Sequence, residues 1–347
     1  MKNQMYTKDG WLDVESIMKN DAQPYKFVVG ARGIGKTYGI LKYILKYRIK
    51  FIYMRRTQTQ VDLIKNDDLN PFKALEGELD EGFFYAFRNV NKYVTGVYLV
   101  DDILGEYKSP IGYIMALSTV SNIRGFDASD VRLLVYDEFI GEKHEKPIRS
   151  EGTAFLNALE TIGRNRELKG QPPLQVVALS NSTNLSNPIF LELKIITQCE
   201  KLIKKGNDLI TLKERGISIY LPTNSPISSK KRQTALYRFA GSDSSFSQMA
   251  LDNEFNQEYF GQVKRRNLNE FTPLVKVGEI TIWKHKSRRE WYVTEISAGS
   301  PEVYDSSDIE LARFRNDYYY MKLAYLNRHV FFVSYVQQVL FEKYLNI

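Results

Sequence analysis

The 347 residues contain one cysteine, Cys199, and three histidines, His144, His285 and His329. A lone cysteine excludes an intramolecular disulfide and a cysteine-based zinc site. The histidines are too scattered for metal-ligand spacing. No apolar run approaches the length of a bilayer span, and the N-terminal stretch MKNQMYTKDG has no apolar signal-peptide core. Internal repeats and low-complexity tracts are also missing. These absences point to a soluble intracellular protein with no membrane partner.

What is present is ordinary for a folded chain. Hydrophobic residues make up 43% and aromatics 13%, which excludes global disorder, and the length suffices for two domains with a sizeable core. The formal charge of +7 fits a polyanionic partner or plain surface solvation. The basic residues are clumped: Arg55-Arg56, Lys204-Lys205, Lys230-Lys231-Arg232, Lys264-Arg265-Arg266, and KHKSRR from Lys284 to Arg289, which includes Lys286 and Arg288. Clumps on loops suit phosphate contacts better than evenly mixed charge does.

Residues 28–37 read VVGARGIGKT. Gly30, Gly35, Lys36 and Thr37 fit the P-loop spacing, with Gly33 between them. Glycines let the backbone curl so that successive N–H groups face one anion. Lys36 neutralises the β- and γ-phosphates of ATP in this reading, and Thr37 holds Mg²⁺ through its hydroxyl. The strand-like KFVV precedes the loop. The helical stripe Ile40, Leu41, Ile44 and Leu45 follows it, so a helix N-terminus faces the phosphates.

Strand-like and helix-like stretches alternate over the first two hundred residues. Residues 51–54, 83–89, 93–100 and 113–117 read as strands, the second and third as a hairpin. Residues 132–136 and 174–179 are apolar runs typical of central parallel strands, and 152–166 carries a helical stripe. The expected fold is α/β with a mostly parallel sheet. Composition shifts near residue 200, and LPTNSPISSKKR at 221–232 reads as a linker or long loop. Residues 275–283 and 290–296 read as a hairpin with the basic run at its tip. Residues 312–347 read as aromatic-rich helix. The expected division is an ATPase domain at 1–205, a linker region at 206–250, and a nucleic-acid-binding domain at 251–347.

The run RLLVYDEF closes on Asp137 and Glu138. An aspartate at a strand's carboxyl end can hold the Mg²⁺ shell. The next residue is expected on the strand's other side, where Glu138 can act as the base for an attacking water. The adjacent glutamate argues for ATP hydrolysis rather than a GTPase-like switch. Asn181 ends the following strand; it either orients that water or simply opens a turn. Arg32 lies within the P-loop and can reach phosphates in cis. Arg164 and Arg166, in GRNRE, either enter a neighbour's site or serve as helix C-terminal cations.

FVVGARGIGKT, FIYMRR, YDEFIGEK, GRNRE, LSNSTNLSNPIF and LDNEF together resemble, in order, the phi29-like phage DNA-packaging ATPases. These are DNA encapsidation proteins related to large-terminase motors. The resemblance implies an additional-strand, catalytic-glutamate (ASCE) ATPase domain followed by a small α+β domain of degenerate RNase H-like type. It implies a homomeric, pentameric ring on the portal of a prohead that packages double-stranded DNA. The setting would be the host cytoplasm, transiently on the procapsid, and some members also assemble with a structural packaging RNA. Carried over, Lys36 and Thr37 bind phosphate and Mg²⁺, Asp137 binds Mg²⁺, Glu138 is the base and Arg164 the trans-acting arginine. After Arg55-Arg56 this chain has Thr57-Gln58 in place of an expected lysine. The competing readings are a single-strand-directed ATPase such as a helicase, or a nucleotide-gated assembly protein that binds nucleic acid.

Overall fold

The apolar runs expected at the centre of a sheet do lie there. The computed structural model describes residues 5–347 except 66–69, 80–81, 102–104, 107–108, 124, 142–144, 146, 182–184, 186, 223–224, 242–243, 245–246, 248–249 and 252–260. His144, most of LDNEF and part of LSNSTNLSNPIF therefore lie outside the described residues. The chain divides into two units: residues 1–193 with 202–255, and residues 194–201 with 256–347.

In the first unit the strands are β1 (Tyr25–Val29), β2 (Phe51–Arg55), β3 (Phe83–Asn89), β4 (Val94–Asp101), β5 (Gly105–Glu106), β6 (Gly112–Ala116), β7 (Leu133–Asp137), β8 (Gln175–Ser180), β9 (Leu209–Leu212) and β10 (Ile217–Tyr220). They form one sheet in the order β3-β4-β6-β2-β7-β8-β1-β10-β9, with β5 against β4. The stretch from β6 to β10 is parallel throughout. β4 and β9 join it antiparallel, and the expected β3–β4 hairpin forms. β8 is inserted between β1 and β7, so the P-loop strand and the acid-bearing strand are not neighbours.

Both faces of this sheet are covered, as continuous apolar strands require. Helices α1 (Val14–Asn20), α2 (Lys36–Lys46) and α3 (Gln58–Ile64) contribute Val14, Ile40, Leu41, Ile44 and Val61 to a core with Phe51, Tyr53, Val135 and Leu179. Helix α4 (Glu151–Gly163) packs against an aromatic cluster. Tyr136 stacks on Phe155 at 5.5 Å, and Phe27, Phe139 and Phe190 meet edge-on or tilted at 5.3–5.6 Å. Offset and edge contacts of this kind stabilise beyond the area they bury.

Three expectations need correction. The region 206–250 is not a linker at its start: β10 pairs with β1 over Tyr25–Val28, and β9 pairs with β10. Both strands are four residues long, and Gly216, at φ 64°, ends the turn between them. Such short strands leave little periodic signal. Beyond them run short helices at Pro226–Lys231 and Ala235–Ala240.

The second unit has a sheet of β11 (Phe271–Val277), β12 (Ile280–His285), β13 (Trp291–Thr294), β14 (Glu302–Tyr304) and β15 (Val330–Phe332), in the order β14-β11-β12-β13-β15. β11, β12 and β13 form an antiparallel meander, and β14 and β15 lie parallel on its two edges. The expected single strand at 275–283 is two strands, reversed at Gly278-Glu279. Gly278 has φ 51°, and a Cβ there would lie 2.5 Å from the Tyr344 hydroxyl, so the tight turn needs glycine. The aromatic tail is helical at Asp308–Asp317, Tyr320–Leu326 and Tyr335–Leu345, but Val330–Phe332 leaves it to join the sheet. No helix among the described residues is long and apolar enough to cross a membrane.

Candidate active site and nucleic-acid surface

β1 delivers the chain into the P-loop at the carboxyl edge of the sheet. Gly33 and Gly35 have φ of 66° and 94°, a conformation that favours glycine. Lys36 is buried, and its Nζ donates to the carbonyls of Gly30 at 2.8 Å and Ala31 at 2.7 Å. Burial pushes its ammonium down to about 7, against the pull of Asp137. Thr37 Oγ1 donates to Asp137 Oδ2 at 3.0 Å, although 100 residues separate them in sequence. A hydroxyl and a carboxylate oxygen placed side by side are hard donors that fit Mg²⁺.

Asp137 is the last residue of β7, beside β2. Strand pairing sets Tyr53 opposite Val135, so Tyr53 and Arg55 share a sheet face with Asp137. The Tyr53 hydroxyl, kept protonated by burial and by Asp137, donates to Asp137 Oδ2. Arg55 contacts Asp137 Oδ2 through Nη1 at 3.3 Å and Glu138 Oε2 through Nη2 at 2.9 Å. Its Nε is buried without a hydrogen-bond partner among the described residues.

Glu138 does not turn to the opposite side of the strand as expected. Its φ is 54°, a strained left-handed conformation for a residue with a side chain. This backbone turn brings it back to the guanidinium that Asp137 shares. Burial raises its carboxyl above the ordinary range, and Arg55 opposes that shift. Asn181 follows β8, the strand between β1 and β7, which places it between the P-loop and the acid pair.

The neighbouring arginine faces the other way. Arg56 is buried, and its guanidinium grips Glu151 at 2.7 and 2.9 Å and also pairs with Glu145. Gln60 and the Tyr136 hydroxyl complete this network. Neither Arg55 nor Arg56 is thus a surface cation for nucleic acid.

α4 starts at this network and runs back along the sheet, because a helix after a parallel strand reverses direction. Its end lies at the strands' amino edge. There Arg166 is buried and caps the helix, donating to Gly163 and, across the fold, to the Val131 carbonyl at 2.9 Å. Arg164 is exposed, with φ 38°, and donates to the Phe126 carbonyl at 2.6 Å with Asp127 at 3.8 Å. β7 runs five residues from that edge to Asp137, about 17 Å of strand, so Arg164, at the helix end on that edge, lies across the sheet from its own P-loop. Arg32 stays beside that loop: its charge acts on Lys36 and Glu138.

The basic clumps divide in the same way. Lys264 and Arg265 are exposed; Arg266 lies over the Phe331 ring at 4.0 Å and reaches Glu290 at 4.0 Å. In the β12–β13 tip, Lys284 and Arg289 are exposed. Lys286 donates to the Asn269 carbonyl at 2.8 Å, and Arg288 pairs with Glu270 at 3.2 Å and Glu290 at 3.8 Å. Glu290 thus joins the two clumps into one surface of the second unit. Lys230, Lys231 and Arg232 are not part of it. They belong to the first unit, where Lys230 lies 3.4 Å from the Asp9 carbonyl and Lys231 2.6 Å from the Arg32 carbonyl.

An inserted strand between the P-loop strand and the acid-bearing strand, with a glutamate directly after the strand-end aspartate, defines an additional-strand P-loop ATPase fold. The chain belongs to the Podovirus DNA encapsidation protein (Gp16) family, whose model matches residues 6–327. Curated relatives named "DNA packaging protein", from Bacillus phages PZA and phi29, are each 26% identical over 317 residues, covering 86% of this chain and 85% of theirs. Among solved structures, the Phi-28 gp11 DNA packaging motor shares the fold, with a TM-score of 0.67 at 19% identity, over 98% of this chain and 99% of that one.

Proposed function

We propose that this chain is the ATP-hydrolysing subunit of a homomeric ring that drives double-stranded DNA into a preformed viral capsid. Membership of the encapsidation family supports the reading. The observation that carries it is the separation of Arg164 from its own phosphate site by the depth of the sheet. An arginine so placed can complete a site only in a neighbouring copy.

The residues take the following roles. The loop amides of Gly33 and Gly35, with Lys36, hold the ATP phosphates; Gly30 opens the loop, its own N–H donating to the Ser180 carbonyl at 3.1 Å. Thr37 and Asp137 would hold Mg²⁺, which neutralises charge on the β- and γ-phosphates when bound. Glu138 holds the attacking water and accepts its proton, and Asn181 orients that water. In the described conformation Glu138 is paired with Arg55, which lowers its basicity; turnover requires the pair to separate. Arg32 positions phosphate in cis. Arg164 stabilises transition-state charge in trans, a contribution of about 10³–10⁵ in rate for such fingers.

The second unit reads as a degenerate RNase H-like module that contacts DNA through the joined surface of Lys264, Arg265 and Arg266 with Lys284, Lys286, Arg288 and Arg289. In the family setting the ring has five copies and docks on the portal of a prohead in the host cytoplasm. Steady-state ATPase measured alone, with duplex and with single strands tests the reading. A translocase of this kind is stimulated by duplex. Stimulation by single strands alone indicates a helicase, and no stimulation by either indicates an assembly protein.

A further inference from the structure

Lys231 carries a consequence that its place in a basic clump hides. It ends the helix Pro226–Lys231, which belongs to the same unit as the P-loop. Its Nζ donates to the Arg32 carbonyl at 2.6 Å, and a Cβ on Gly33 would stand 2.7 Å from that nitrogen. The following stretch holds the same residue by its other backbone group: the Arg32 N–H donates to the Ala250 carbonyl at 3.0 Å. Ala250 packs in a small core with Leu251 and Tyr237, and the Tyr237 ring lies 5.6 Å from Lys231 Nζ. Lys231 and Ala250 therefore both lie against the phosphate-binding loop at Arg32.

Lys231, half-buried, thus brings its ammonium to the loop that also carries Arg32 and Lys36, and Coulomb attraction favours an anion placed among these cations. A polyphosphate is the ligand that loop is shaped for. We infer that Lys231 is a further phosphate ligand of the nucleotide, supplied by the segment that follows the ATPase sheet, and not a DNA contact. The inference rests on the ATP-binding reading of the P-loop.

The test is the affinity of the full chain for a fluorescent Mg–ATP analogue, with duplex binding measured alongside. Lys231→Met and Lys231→Gln are expected to bind the analogue about 10–100-fold more weakly, the range for losing a hydrogen bond to a charged group. Lys231→Arg is expected to retain most of the affinity. Glutamine keeps a donor for the Arg32 carbonyl, so it separates charge from local structure. Wild-type affinity in Lys231→Gln overturns the inference. So does a loss of about one from the salt slope of DNA binding in Lys231→Met, the change for one phosphate contact. Lys36→Ala serves as the reference: if it too binds as wild type, the ATP reading itself fails, whereas loss in Lys36→Ala alone sinks only the role of Lys231.

Discussion

Arg55 shows what a single side chain can decide in this site. It touches both Asp137, the proposed metal ligand, and Glu138, the proposed base, so its removal separates two effects. In the proposed role Glu138 works as a base only when ionised, so turnover is expected to fall as pH drops through its pKa. Burial already raises that pKa, and Arg55 opposes the shift. Arg55→Ala removes the opposing charge, so the acid limb of kcat is expected to move to higher pH; an unmoved limb means the ion pair is not felt in the working enzyme. Glu138→Gln is expected to keep nucleotide affinity and to lose turnover by about 10²–10⁴-fold, because an amide cannot take the proton of water. Lys36→Ala is expected to lose binding itself. Parental turnover in Glu138→Gln would remove the base from the account. The P-loop and the Asp137-Glu138 pair are legible in sequence because each is contiguous. Arg55 is not, since its role depends on which strand lies beside β2. The return of Glu138 toward Asp137 depends on a positive φ that no pattern announces.

At the scale of elements, β2 distributes two consecutive arginines to opposite faces of one sheet. As sequence, Arg55-Arg56 looks like a surface clump. Period-two geometry sends one to the acid pair and the other to helix α4, and only the covering of both faces makes each an internal ion pair. Arg56 and Glu151 are 4% and 3% exposed. Removing one partner leaves the other charge buried, a loss of about 3–5 kcal/mol. Arg56→Met is expected to lower the denaturant midpoint accordingly, and Arg56→Met with Glu151→Leu to regain most of it. A midpoint unchanged in the single variant means water already reaches the pair. The same scale explains what composition concealed. β9, β10 and β15 have three or four residues each, too few for alternation to stand out from a loop or helix.

For the molecule as a whole, the net charge of +7 bears on the proposed DNA surface. Lys284 and Arg289 are exposed at the hairpin tip, whereas Lys286 and Arg288 are held by Asn269 and Glu270. Lys284→Ala with Arg289→Ala is expected to reduce the salt slope of duplex binding by about two, one per phosphate contact released. An unchanged slope moves the DNA surface away from this tip. The proposed assembly makes the stricter demand, because in it Arg164 serves a neighbour's site rather than its own. The most direct measurement mixes two inactive variants and reads ATP hydrolysis. Arg164→Ala keeps an intact pocket, and Glu138→Gln keeps an intact finger. Mixed rings are expected to regain hydrolysis wherever a finger donor adjoins an intact pocket. Arg32→Ala mixed with Glu138→Gln is expected to regain none, because every pocket is defective. No recovery in the Arg164→Ala mixture, or recovery in the Arg32→Ala mixture, contradicts the shared site on which the ring motor depends.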